Sequence, residues 1–351
     1  MSSRVLLSLS NGSHLAACAA AVIALGLIAA GWTSPGLMEL WLLVFVLAAG
    51  FTVGALGFLM IGHLLSEIWL HPVRDELEPM ARAMPLIAIL GVPLLFGLDQ
   101  LYPWAWEGAD LTGPALHYFG VSGFVGRSVI YVGAWTVLAA LIARPGRHRT
   151  KSIVGLMILV PTVALASIDW VASREPHWIS SLYGFSFAVA QALAALGLAM
   201  LVTLLRQGHP PAARLRSLQS LILSLALLTV WIWFSQFLIV WMTGLPQETA
   251  WFFARLGGGR TLLQAGIAIP ALAVAIILFI APHPGRARII ISSCLILIQH
   301  VAHMVWLVRP RLADNAIGWI DAAVPLCALA VWTIFLAVEI RRQPPLEPEY
   351  H

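Results

Sequence analysis

The chain has 351 residues, of which 60% are hydrophobic and only 10% charged, and its formal net charge is +4. A soluble domain carries roughly 25% charged residues, so a water-soluble fold is excluded for want of polar surface cover. The basic residues are Arg apart from Lys151, and they cluster in short loops between apolar runs, which excludes nucleic-acid binding as the meaning of the positive charge.

The apolar runs set the fold class. They lie near the ~20 residues a helix needs to cross about 30 Å of hydrocarbon. They are continuous rather than alternating, which points to helices and not to a closed barrel. The sequence therefore predicts an all-α polytopic transmembrane helix bundle, a single integral membrane domain over residues 1–351 in contact with the lipid bilayer.

In chain order, about ten spans are predicted, at 15–32, 38–66, 83–102, 117–143, 153–172, 181–205, 217–243, 262–281, 288–308 and 319–340. The first begins near His14 and reads as a retained anchor, without a convincing cleavage site. Ser34-Pro35-Gly36 separates it from the second. Pro145-Gly146, Pro210-Pro211 and Pro282-His283-Pro284-Gly285 mark later breaks, and Pro344-Pro345 follows the last span. Tryptophans such as Trp41, Trp69, Trp104, Trp170, Trp178 and Trp306 sit at run ends, the aromatic-belt pattern of membrane interfaces. Cys18, Cys294 and Cys327 lie inside apolar runs without paired spacing, so they read as small hydrophobes and not as disulfide, zinc or iron–sulphur ligands.

Alternating sides through ten spans puts 14 Lys and Arg on one face, and leaves Arg127, Arg174, Arg255, Arg260, Arg309 and Arg311 on the other. By the positive-inside rule the first face is cytoplasmic and holds both termini. A basic turn recurs four spans apart, as Pro145-Gly146-Arg147-His148-Arg149 and Pro284-Gly285-Arg286-Ala287-Arg288. That echo fits an internal repeat, and topology alone can also generate it.

Ionisable groups within spans are costly and few, so each invites a functional reading. Arg127, Asp169, Gln236, His300, His303 and Asp321 fall in the predicted outer half of the membrane. Arg127 and Asp169 have opposite charge at similar depth and are expected to pair. His300 and His303 share one helix face. Together with His177 in the following loop, these residues read as a polar pocket for a quinone head group or for its protons. Carboxylate and imidazole have suitable pKa values for that task. The competing reading is that they only tie helices together. A second group, His63, Glu67, Asp75 and Glu76, lies at the opposite surface and reads either as the mouth of a proton path or as a solvated helix end. His63 and the His300/His303 pair sit on opposite sides of the membrane, so they cannot share a haem.

Four segments together resemble a known family. They are Leu56-Gly57-Phe58-Leu59-Met60-Ile61-Gly62-His63-Leu64, leading to Leu101-Tyr102-Pro103-Trp104; Ile168-Asp169-Trp170 through Glu175-Pro176-His177-Trp178 to Tyr183-Gly184; Phe234-Ser235-Gln236 with Leu245-Pro246-Gln247-Glu248; and Gly318-Trp319-Ile320-Asp321. In this order they resemble the F-type membrane subunit of bacterial alternative complex III, a quinol:cytochrome c oxidoreductase, within the wider NrfD-like or polysulphide reductase membrane subunit group. The resemblance implies two four-helix bundles plus two flanking helices in the bacterial inner membrane. It implies quinone or quinol as ligand, with no haem or iron–sulphur cluster on this chain. Its implied partners are a related quinone-binding membrane subunit, a periplasmic iron–sulphur subunit, c-type cytochrome subunits and, downstream, cytochrome c or a terminal oxidase. Within such a complex this subunit binds quinone, moves protons or supports assembly. A secondary transporter or proton channel, and a purely structural anchor, are the alternatives.

Overall fold

A computed structural model describes residues 35–65, 69–106, 118–144, 146, 148–178, 180–207, 212–256, 258–280, 285–308 and 319–342. The predicted first span, Glu67 and the acidic loop after Trp106 lie outside these residues.

The described chain is helical, with no strand among the described residues. Its helices are α1 (Pro35–Leu64), α2 (His71–Arg82), α3 (Met84–Gly91), α4 (Val121–Ile142), α5 (Arg149–Trp170), α6 (Tyr183–Gln207), α7 (Ala212–Thr243), α8 (Pro246–Phe253), α9 (Ile269–Ile280), α10 (Arg286–Val308) and α11 (Trp319–Arg342), with shorter turns between them. Among the described residues, eight helical stretches are long and apolar enough to cross a membrane. The chain is therefore a multi-pass membrane protein by length and composition.

Local chemistry sets the boundaries. Pro72 and Pro246 stand in the first turns of α2 and α8, where the missing N–H costs nothing. Gly244 ends α7 at φ 60°, its N–H bonded to the Val240 carbonyl at 3.0 Å; glycine takes this left-handed cap without steric cost.

The third predicted span needs correction. It was expected at 83–102, but the membrane-length helical stretch starts at His71 and runs to Phe96. The charged residues before Arg82 are thus part of a packed helix and not a loop. Its apolar face, Val73, Leu77 and Met80, is buried. Its charges pair along the helix, Glu78 accepting from Arg74 at 2.8 Å and from Arg82 at 2.6 Å.

α1 is the central post, with 94% of its apolar window buried. It packs against α2, α5, α6, α10 and α11. Its closest approach is to α6, through Gly50 and Gly54. A Cβ on Gly54 would lie 2.7 Å from the Ala195 Cβ and 2.8 Å from the Gln191 carbonyl oxygen. Small residues four apart allow this backbone approach, the usual device between helices in lipid. α4 and α7 are peripheral, and their outward faces expose Val129, Ile130, Trp231, Phe237, Trp241 and Met242.

Cross-helix bonds define two ends. At one, Tyr102 bonds the Trp170 carbonyl at 3.0 Å and Arg255 bonds the Leu307 carbonyl at 3.3 Å. At the other, Arg82 bonds the Ala143 carbonyl at 2.9 Å and Arg286 bonds the Leu204 carbonyl at 2.9 Å. These are called the Asp169 end and the His63 end below.

Candidate functional site

Asp169 is fully buried in the last turn of α5. Its carboxylate collects three side chains. Arg127 of α4 grips both oxygens, Nη2 to Oδ1 at 2.7 Å and Nε to Oδ2 at 3.0 Å. Tyr131 donates its hydroxyl to Oδ2 at 2.9 Å, and Tyr118 donates to the same oxygen at 3.4 Å. Arg127 is itself oriented, with Nη1 on the Tyr118 carbonyl at 3.1 Å and the guanidinium 4.0 Å from the Tyr118 ring centre. The expected Arg127–Asp169 pair is therefore present, in the two-pronged geometry that makes such pairs strong. Burial, and then the Asp169 charge, push the Tyr118 hydroxyl above its usual pKa.

The two tyrosines were missed from sequence. A signal existed: Tyr131 is four residues after Arg127 on one helix, and the whole chain has only five tyrosines. Residues at this spacing share a face.

Around this cluster runs an aromatic wall. Trp170 packs against Phe45, Tyr131 and Trp135. Its indole N–H donates to the Ser128 hydroxyl at 3.0 Å, and that of Trp135 donates to Thr162 at 2.9 Å.

Three charges taken from sequence as loop residues belong to a second, partly buried layer at the same end. Arg174 pairs with Glu39 of α1. Arg255, only 4% exposed, pairs with Glu175 at 2.7 Å. It also donates to the Trp251 carbonyl at 3.1 Å and lies 3.7 Å over the Trp251 ring centre. Burial lowers the Arg255 pKa from its usual value and Glu175 opposes that shift.

His300 and His303 are both buried on α10 but meet different neighbours. His303 shares a hydrogen bond of 3.0 Å between Nδ1 and Gln264 Oε1 and packs on Trp233 at 4.3 Å. Gln264 sits in a π-helical stretch, Leu262–Ala268. Such widened turns occur often at functional sites. His300 lies against Phe51 of α1, and neither ring nitrogen has a hydrogen-bond partner among the described residues. The same holds for both amide atoms of Gln299 and for the hydroxyls of Ser292 and Ser293. α10 thus carries an unsatisfied polar stripe at helical spacing.

The other candidates scatter. Gln236 is partly buried on α7, His177 is exposed in a turn, and the side chain of Asp321 lies outside the described residues. No hydrogen bond, ion pair or ring contact described for Asp169 or Arg127 reaches His300 or His303. Among the described residues, Arg127 and Asp169 belong to one hydrogen-bonded cluster, and His300 and His303 to the polar stripe of α10.

At the His63 end, His63 is buried with Nδ1 2.9 Å from Ser152 Oγ and its ring edge-on to His148. Glu76 is fully buried and accepts from Arg206 of α6 at 2.8 Å. Neither His63 of α1 nor Glu76 of α2 is solvated, since both side chains are buried; Asp75 is only partly buried.

Compared with models of protein families and with curated proteins, the chain has no match in either.

Proposed function

We propose that the chain is an integral membrane subunit of a quinol-oxidising respiratory complex of the alternative complex III type. On this reading it spans the bacterial inner membrane about ten times, as two four-helix bundles and two flanking helices, with the Asp169 end outward. Redox centres lie on its partners, the iron–sulphur and c-type cytochrome subunits. Its own chemistry is confined to hydrogen bonds and proton transfer near the site where quinol is oxidised.

The observation that carries this reading is the Asp169 cluster. A fully buried carboxylate at a helix end, held by one guanidinium and two phenols, is a charged network inside an apolar bundle, the kind of group that invites a functional reading in a membrane protein. The surrounding indoles and the four sequence segments that resemble the family support the same reading.

The test is Asp169→Asn in the assembled complex. The expected result is a fall in quinol:cytochrome c turnover of at least tenfold, a typical scale for loss of a positioned proton-transfer group, with subunit composition unchanged. Full turnover in a correctly assembled complex removes Asp169 from the mechanism. A purely structural anchor is the second reading, and the near-complete satisfaction of Asp169 favours it. On that reading Asp169→Asn weakens assembly and leaves turnover per assembled complex intact.

A further inference from the structure

α8 is a short helix of eight residues that follows α7 through Gly244, the residue at φ 60°. Only Trp251 of α8 is buried. Leu245 before it and Phe253 at its end are exposed. What ties α8 to the rest of the bundle is Trp251 together with Arg255, in the turn just after it. Trp251 stacks on Trp178 at 4.3 Å and meets Trp306 of α10 edge-on at 5.3 Å. Arg255 reaches α10 at the Leu307 carbonyl, and Glu175 in the turn between α5 and α6. Its Nε has no hydrogen-bond partner among the described residues.

This small assembly sits against the polar stripe of α10. A continuous series of contacts leads from the surface to that stripe. Glu175 holds Arg255 at 2.7 Å. The Arg255 guanidinium lies 3.7 Å over the Trp251 ring and 5.7 Å from the Trp306 ring centre. Trp306 in turn stacks on His303 at 5.8 Å. His300 and Gln299 follow one turn further along α10, buried and without hydrogen-bond partners among the described residues. Two indole rings and one guanidinium thus stand between Glu175 and the first histidine of the stripe.

The two ion pairs made by the turn between α5 and α6 differ in their access to water. Arg174 and Glu39 are both under 10% exposed, at 9% and 8%, whereas the Glu175 side chain is 27% exposed. Water can therefore compete for Glu175, and with it for the hold on Arg255, as it does at half-exposed ion pairs generally. Segments that open locally are those with few buried apolar contacts, and α8 is such a segment. Gly244 gives it a hinge, because glycine absorbs backbone change at little steric cost. We infer that α8 and the turn after it form a lid over the α10 stripe, hinged at Gly244 and latched by the Glu175–Arg255 pair. Closed, as here, the lid keeps the stripe dry. Open, it admits water to His303 and then to His300. The lid is independent of the respiratory reading above.

The experiment is modification of the full-length chain in detergent with diethyl pyrocarbonate, read histidine by histidine by mass spectrometry. His71 is exposed and His63 is buried at the far end, so they serve as the reactive and the protected reference. In the wild type His303 should react far more slowly than His71. Glu175→Gln changes a partly exposed side chain and should leave the fold intact, while speeding His303 by about fivefold or more, the scale of one ion pair. Arg255→Gln should speed it at least as much. The double substitution should open the lid no further than Arg255→Gln alone, because both act through one latch. His63 should stay protected in Glu175→Gln. A wild-type His303 as reactive as His71, no gain in either single variant, a double variant faster than Arg255→Gln, or His63 speeding up in step with His303 in Glu175→Gln, each overturns the inference. None of these outcomes bears on Asp169.

Discussion

Two buried polar regions of this molecule are built on opposite plans. Around Asp169 each carboxylate oxygen has a donor, and Arg127, the main donor, is held in turn by Tyr118. Along α10, Gln299 and His300 are just as buried, yet their polar atoms have no partner among the described residues. In a low-dielectric interior a satisfied network is rigid and a half-satisfied one is under tension. The Asp169 end therefore has the character of a lock, whereas α10 has spare hydrogen-bonding capacity. A ligand, water or proton can use the second without first breaking anything.

The sharpest way to break this contrast is to strand the Asp169 charge. Arg127→Leu leaves a fully buried carboxylate with only phenols for company, and should cost about 3–5 kcal/mol. Unfolding in a graded detergent series measures it; a loss under 1 kcal/mol would mean the cluster is not a lock. A smaller effect is expected from Gly54→Leu, which drives a side chain into Ala195 and the α6 backbone. Overpacking of this kind costs about 1–3 kcal/mol, and the same unfolding series should detect it. The smallest effects separate the two histidines. His303→Leu leaves Gln264 without its partner and should cost about 1 kcal/mol. His300→Leu removes ring nitrogens that have no hydrogen bond to lose among the described residues and keeps an apolar side chain against Phe51, so it should be neutral or stabilising. If His300→Leu proves the more damaging of the two, His300 has a partner that the contrast omits.

Much of the site was legible from residue type alone. A carboxylate and a guanidinium within apolar runs must find each other or leave the membrane, so Arg127 and Asp169 could be paired from sequence. Tyr131 was readable in principle from its spacing to Arg127. Gln264 was not, because a glutamine in a hydrophobic run looks the same whether it faces a helix partner, a cavity or nothing. The burial of Glu76 was illegible for a related reason. Its neighbours Arg74, Asp75 and Glu78 give the segment the composition of a loop, and only Arg206, 130 residues later, shows that it is packed.

The sequence by itself determined that the chain is helical and embedded in lipid, and where most of its long helices lie. Length, hydropathy and the scarcity of charge are local quantities, and lipid admits few other solutions. What it could not determine is which face of each helix is inside. Lipid and protein interior are equally apolar, so α1, buried on nearly every side, and α7, largely exposed, read alike along the chain. That choice was made by features that act only between helices: the glycines of α1 against α6 and the Arg206–Glu76 pair.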